Sequence, residues 1–284
     1  MELKQNLCLA VDLDGTLLNN QGKVSERSLF FLNNEWKRTI IFVTGRNEKD
    51  SKRITKQFTP GNNNLYVVFN DGQDIAKIEA NGEYSIIQSF PYIEIDFFNM
   101  FVKWIDDKKI NWTVYYRKKV VSVINDRNLI GFKLIKLISR KSDTEFIRKK
   151  DIKLLPKKQI IKISINGFKD ISIDKVLLEF VSYFQNTVYV VKNDWMIEIK
   201  NKKASKLEAL KYLFGEVLYS ENNTCVYIGN GGNDIECLKY FSNSFAVENG
   251  IKEAKMAAKR ITTSNDDDGV INALKTVLEE ENGN

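Results

Sequence analysis

Residues 7–20 read LCLAVDLDGTLLNN. A short apolar run, LCLAV, ends in two aspartates one residue apart, Asp12 and Asp14, with a glycine directly after. A run this short and this apolar is the signature of a strand buried on both faces of a parallel sheet. In extended backbone, residues i and i+2 point to the same side, so Asp12 and Asp14 are expected to face one crevice while Leu13 turns away. The carboxyl ends of parallel strands are where open α/β sheets bind ligands, and Gly15 lets the chain turn sharply there. Two carboxylates this close repel, so one holds a proton or a cation sits between them. Mg²⁺, a hard cation that takes oxygen ligands, suits that place. Taken alone, the same stretch is also what an ordinary Asp-Gly turn after a strand provides.

Outward from this stretch, composition narrows the chemistry. The 284 residues contain no histidine, which excludes Ser-His-Asp and Cys-His machinery and any imidazole base. Three cysteines form no CxxC pair, so neither a disulfide framework nor a zinc site is expected, and Cys8 and Cys225 read as small core residues. The net charge of +6 comes from lysines scattered along the chain, a solvated surface rather than a nucleic-acid footprint, although a positive field steers small anions. No apolar run approaches the roughly 18 residues of a membrane span. The opening MELKQN carries no signal-peptide pattern, so a cytoplasmic location is expected. Oligomeric state is not readable from these features.

The rhythm along the chain is strand, helix, strand. Ser25 and Glu26 look like a helix cap with an acid in the first turn, TIIFV (39–43) is a second buried strand, and LYVVF (65–69) a third. After residue 70 the pattern alternates. DIAKIEANGEYSIIQ, with Asn81-Gly82 at its centre, predicts a hairpin with a type I′ turn. Helices are expected at 94–109, 128–140 and 172–185, with antiparallel strands within 112–124, 159–165 and 187–199. Parallel grammar returns with CVYIG (225–229), SFAV (244–247) and RITTS (260–264), separated by helices. The expectation is an α/β protein with a parallel-sheet core formed by 1–83 and 194–284, interrupted by an inserted α+β cap over 84–193.

Three further stretches fall at strand ends or a helix start. VTGR (43–46) offers the Thr44 hydroxyl and the Gly45 amide to a phosphate oxygen, and Arg46 to an anion. KKASKLEAL (202–210) places Lys206 in the first turn of a helix. YIGNGGNDIECL (227–238) puts Asn230, Asn233 and Asp234 on a glycine-rich loop that opens a helix, a plausible oxygen shelf for a metal. Each also has an ordinary structural reading: a strand end, a solvated lysine, a capped turn.

Together, in this order, Asp-x-Asp-Gly-Thr, Thr-Gly-Arg, a distant Lys and Gly-x-Gly-Gly-Asn-Asp resemble the haloacid dehalogenase superfamily. Within it the chain is similar to the Cof-type phosphatases, which carry a large cap between the second and third motifs on a Rossmann-like core. The resemblance spans both core halves and includes AVENGIKEAKMAAKRITTSNDDDGV (246–270), and FNDGQ (69–73) stands where the family often has Asn-Gly-Ala. It implies Asp12 as the nucleophile that forms an aspartyl-phosphate, and Asp14 as general acid and base. It implies Thr44, Gly45, Lys206 and Asn233 as phosphate-binding groups, and Arg46 and Asn70 on the substrate side. A Mg²⁺ ion held by Asp12, Asp14, Asn230 and Asp234 is implied as the cofactor.

One position departs from the family pattern: Asn230 stands where an aspartate is usual. The resemblance therefore implies a Mg²⁺-dependent phosphatase of small phosphorylated metabolites, sugar phosphates or nucleotide or cofactor phosphates. The alternative is a relative that binds a phosphometabolite without turning it over.

Overall fold

A computed structural model of the chain describes residues 7–59, 64–106, 108, 110–117, 119–124, 144–166, 171–192, 196–218 and 224–282. The expected helix at 128–140 lies outside these residues. The chain divides into two compact units, one formed by Met1–Phe90 with Ser205–Asn284, the other by Pro91–Ala204.

In the first unit, β1 (Cys8–Asp12), β2 (Ile40–Val43), β3 (Leu65–Phe69), β4 (Asp74–Ile78) and β5 (Tyr84–Ser89) form one sheet with three later strands, Cys225–Gly229, Asn243–Val247 and Arg260–Thr262. Counting in the six strands of the second unit, these last three are β12, β13 and β14, and the sheet order is β14-β13-β12-β1-β2-β3-β4-β5. From β14 to β3 every pairing is parallel, which is the expected α/β core. The strands bury both faces. Leu9 and Val11 join one apolar cluster with Ile40, Phe42 and Val67, while Cys8 and Ala10 join another with Ile41, Val43 and Leu210. Asp12 continues the Cys8–Ala10 alternation, on the face covered by helix Lys206–Tyr212. All three cysteines are buried free thiols.

The hairpin β4–β5 ends this sheet, antiparallel as expected. Its turn differs from the type I′ expectation. Gly82 takes a left-handed φ of 79° but Asn81 does not, and the Gly82 amide donates to the Glu79 carbonyl at 2.8 Å. The Asn81 side chain instead accepts from the Glu83 amide at 3.0 Å. An Asx turn followed by one left-handed glycine replaces the two left-handed residues that type I′ requires. Because β5 pairs with β4, the first unit runs to Phe90, where the sequence reading ended it at residue 83. At the other end, β11 pairs within the second unit, which runs to Ala204 rather than 193.

The second unit holds β6 (Trp112–Tyr116), β7 (Val120–Ile124), β8 (Thr144–Arg148), β9 (Ile160–Asn166), β10 (Val188–Lys192) and β11 (Met196–Asn201) in the order β10-β11-β9-β6-β7-β8. It is antiparallel except between β7 and β8. One face packs on helix Ile95–Asp106 and on Leu177 and Val181 of helix Ile171–Ser182, with Trp112 and Tyr116 inside that core. The other side of β9 and β11 is polar: Glu198 pairs with Lys162 at 2.7 Å and with Lys200 at 2.9 Å. Among the described residues, no helix is long and apolar enough to cross a membrane.

Candidate active site

Four neighbouring strands of the first unit, β12, β1, β2 and β3, bring their carboxyl ends side by side. β1 delivers Asp12, which is 5% exposed. Its Oδ2 accepts from the Thr16 hydroxyl at 3.0 Å and its Oδ1 from Lys206 Nζ at 2.7 Å. Leu13 turns into the opposite core, as the alternation requires, and Asp14 emerges half exposed. Each aspartate side chain has its own basic partner. Asp12 is held by Lys206, whereas Asp14 takes a two-pronged grip from Arg46, whose Nε and NH2 donate at 2.8 and 2.6 Å. The repulsion inferred from their spacing is relieved by two separate cations.

Lys206 reaches Asp12 because of where its helix begins. Ser205 caps that helix, its hydroxyl accepting from the Glu208 amide at 3.2 Å, so Lys206 is the first helical residue. Its side chain is buried and also donates to Asp234 at 2.8 Å. Burial alone would push the ammonium's pKa down, but Asp12, Asp234 and Asp71 outweigh it and hold it above the ordinary lysine range. Burial pushes the Asp12 carboxyl up to about 7, and Asp234 adds to this while Lys206 opposes it.

Asp234 is fully buried, and both its oxygens are occupied. Oδ1 accepts from Lys206 and from the Tyr227 hydroxyl at 2.6 Å. Oδ2 accepts from the amides of Asn230 and Gly231 at 3.0 and 2.9 Å. With each oxygen accepting two hydrogen bonds, Asp234 anchors the Lys206 ammonium in this arrangement. Tyr227 went unrecognised in the sequence. Its signal is parity: it stands opposite Ala10 in the β1–β12 register, on the same sheet face as Asp12.

Thr44, directly after β2, is fully buried, its hydroxyl accepting from the Arg46 amide at 3.1 Å. The turn after β3 is sewn onto this loop by main-chain bonds, Asn70 to the Arg46 carbonyl at 2.8 Å and Asp71 to the Thr44 carbonyl at 3.0 Å. The Asn70 side chain, expected on the substrate side, donates instead to Asp74 at 3.1 Å and supports β4. It is Asp71 that faces the site, its Oδ1 accepting from the Asn233 amide at 2.8 Å. Asn70 and Asp71 both have left-handed φ, 53° and 57°, so strand alternation does not predict where their side chains go. The Asn230 side chain packs against Gly15, and the Asn249 amide ties the Gly15 carbonyl at 2.8 Å.

A divalent cation is compatible with this chemistry. Asp12, Asp71 and Asp234 all bear on one ammonium, and the raised Asp12 carboxyl is the group that a nearby cation would return to its anionic form. Among the described residues, no three acidic or thiol side chains are grouped to hold a metal by themselves.

The sequence profile of the haloacid dehalogenase-like hydrolases matches residues 9–274. Phosphatase YwpJ of Bacillus subtilis is 24% identical over 298 residues, spanning 95% of this chain and 99% of its own. A shorter match, 38% identical over 79 residues and 28% of each chain, is to 5-amino-6-(5-phospho-D-ribitylamino)uracil phosphatase YbjI of Escherichia coli. Among solved structures, BT1666 of Bacteroides thetaiotaomicron, from a study of phosphatases of the haloalkanoate (HAD) superfamily, superposes with a TM-score of 0.74 at 18% identity. It covers 97% of this chain and 96% of its own.

Proposed function

The chain belongs to the haloacid dehalogenase-like hydrolases, and from that premise we propose that it is a cytoplasmic, Mg²⁺-dependent phosphatase of small phosphorylated metabolites, working through an aspartyl-phosphate. The observation that carries this reading is the Asp12–Lys206–Asp234 chain at the end of a central parallel strand, with Thr44 directly after the neighbouring one.

In this reading an Asp12 carboxylate oxygen attacks phosphorus and the ester oxygen leaves. The Thr44 hydroxyl, the Gly45 amide and Asn233 receive the phosphoryl oxygens, and Lys206 offsets their charge. Asp14 gives its proton to the leaving oxygen, then takes one from the water that cleaves the aspartyl-phosphate, restoring both carboxyls. A carboxylate gripped by a guanidinium only accepts hydrogen bonds, so Asp14 acts as an acid once Arg46 has let go of it. A substrate anion is the natural new partner for Arg46. Asp12, the Asp14 main-chain carbonyl and the Asn230 amide oxygen would hold Mg²⁺, with Asp234 acting through Lys206. When bound, the ion supplies charge neutralisation that lets one anion approach another.

The substrates proposed are sugar or polyol phosphates and nucleotide or cofactor phosphates. The ribityl phosphate named for the Escherichia coli relative supports the polyol class. The test is orthophosphate release from a panel of phosphomonoesters with Mg²⁺, comparing the parent with Asp12→Asn. Equal release by both proteins removes Asp12 from its role. A second reading rests on Asn230: a metabolite-binding protein with little turnover. It requires that Asn230→Asp create an activity the parent lacks.

A further inference from the structure

Asp71 is a buried carboxylate to which the proposed reaction gives no task. It is 3% exposed, yet it sits in left-handed backbone, which residues other than glycine rarely adopt and which persists where the surroundings enforce it. Those surroundings are the site itself. The Asp71 amide is bonded to the Thr44 carbonyl. Its Oδ1 accepts from Asn233, and the carboxylate covers Gly45 so closely that a Cβ there would stand 2.8 Å from the same oxygen. It is also one of the three carboxylates that act on the Lys206 ammonium.

Thus Asn233, one of the groups assigned to the phosphoryl oxygens, already donates to an anion belonging to the chain, and that anion packs over Gly45 and acts on the Lys206 charge. A carboxylate oxygen and a phosphoryl oxygen are the same kind of guest, an anionic acceptor seeking N–H donors. We propose that Asp71 is an affinity-setting residue: its carboxylate competes with phosphate for this cradle, weakens the hold on a dianion and so hastens release of the orthophosphate product. This rests on the phosphatase reading of the cradle. Its consequence is specific to the free dianion. Orthophosphate brings two charges to a site that keeps one of its own, and like charges a few ångströms apart in a partly dry pocket repel strongly. A covalently bound phosphoryl group is held by its bond to Asp12, so the penalty falls mainly on free substrate and free product.

The experiment compares the parent, Asp71→Asn, Thr44→Val and the double variant by titration calorimetry with orthophosphate, and by product inhibition where turnover is measurable. Asparagine is isosteric, tolerates left-handed backbone and still offers Asn233 an oxygen, so Asp71→Asn removes charge with little change of shape. The expected result is orthophosphate binding tighter by about tenfold or more in Asp71→Asn, as loss of one nearby like charge implies, with an unchanged melting temperature and a lower KM. Unchanged or weaker binding overturns the proposal, and weaker binding with a lowered melting temperature marks Asp71 as purely structural. Thr44→Val should weaken orthophosphate in both backgrounds. If it does while Asp71→Asn fails to tighten binding, only the role of Asp71 falls. If Thr44→Val has no effect in either background, phosphate does not use this cradle and both readings fall together.

Discussion

Gly72 lies directly on Ser205: a methyl group placed on its Cα would overlap the Ser205 carbonyl. Gly72 also has a φ of 98°, a conformation that side-chain-bearing residues rarely adopt. This contact seats the turn carrying Asp71 against the residue that caps the Lys206 helix. Gly72→Ala is therefore expected to destabilise by about 3 kcal/mol or more, combining backbone strain with overpacking. Chemical denaturation would measure it, and a loss under 1 kcal/mol would mean that the helix end yields easily.

Tyr227 offers a gentler probe of the same region. Tyr227→Phe keeps the buried ring, which stacks on Phe241 at 5.7 Å, and deletes the hydroxyl that Asp234 accepts. The expected cost is about 1–3 kcal/mol, since a charged acceptor loses one of its donors. Turnover should fall more than KM rises, because the change acts through Asp234 on the Lys206 ammonium. A KM effect alone would remove Tyr227 from that relay.

The Asp14–Arg46 pair is partly exposed, with the Asp14 side chain 56% accessible. Pairs of this kind add about 0–1 kcal/mol to stability. Arg46→Met should therefore leave the melting temperature within a few degrees of the parent while raising KM for anionic substrates. A large fall in melting temperature with an unaltered KM would show that Arg46 serves the fold and not the substrate.

Asp12 makes stability depend on pH in a defined direction. At pH 3 the carboxyl is protonated both folded and unfolded. Between pH 4 and its folded value near 7, the folded chain keeps a proton that the unfolded chain has lost, so stability falls as pH rises through that window and then levels off. In metal-free buffer Asp12→Asn should be more stable than the parent at pH 8, by at most a few kcal/mol at about 1.4 kcal/mol per pH unit, with the advantage shrinking toward pH 5. Thermal melts at several pH values decide it, and an advantage independent of pH would falsify the assignment.

Asn230→Asp adds a carboxylate beside the Gly15 turn, where Mg²⁺ is proposed to bind. The Mg²⁺ concentration that half-saturates stabilisation in a melting assay should drop, by about tenfold if the added charge gains 1.4 kcal/mol. An unchanged midpoint would place the ion elsewhere.

The sheet was legible because β1, β2, β3 and β12 are near-continuous apolar runs, a pattern that burial on both faces requires. β8 was missed: TEFIR is polar at its start and only partly buried, and its partner β7 lies more than twenty residues earlier. In the site, residues whose side-chain direction follows from strand parity, such as Asp12, were readable. The side-chain directions of Asn70 and Asp71 were not readable, because two successive left-handed residues break that parity. The use of all the Asp234 acceptors was invisible for a different reason. It depends on a tyrosine from the preceding strand and a lysine from a distant helix, and neither spacing is local.

The pairing of β1 with β12, Cys8 opposite Cys225, also has a consequence for synthesis. At ribosomal rates of about 5–20 residues per second, Cys225 follows Cys8 by on the order of ten seconds or more. Throughout that interval one edge of an apolar strand has no neighbour, while β2 through β5 can assemble on the other. The nascent chain therefore holds a half-built sheet with Asp12 in place and Asp234, the partner of Lys206, not yet made. Chaperone dependence is expected to be greatest in that interval, and chemical competence to come only with the last quarter of translation.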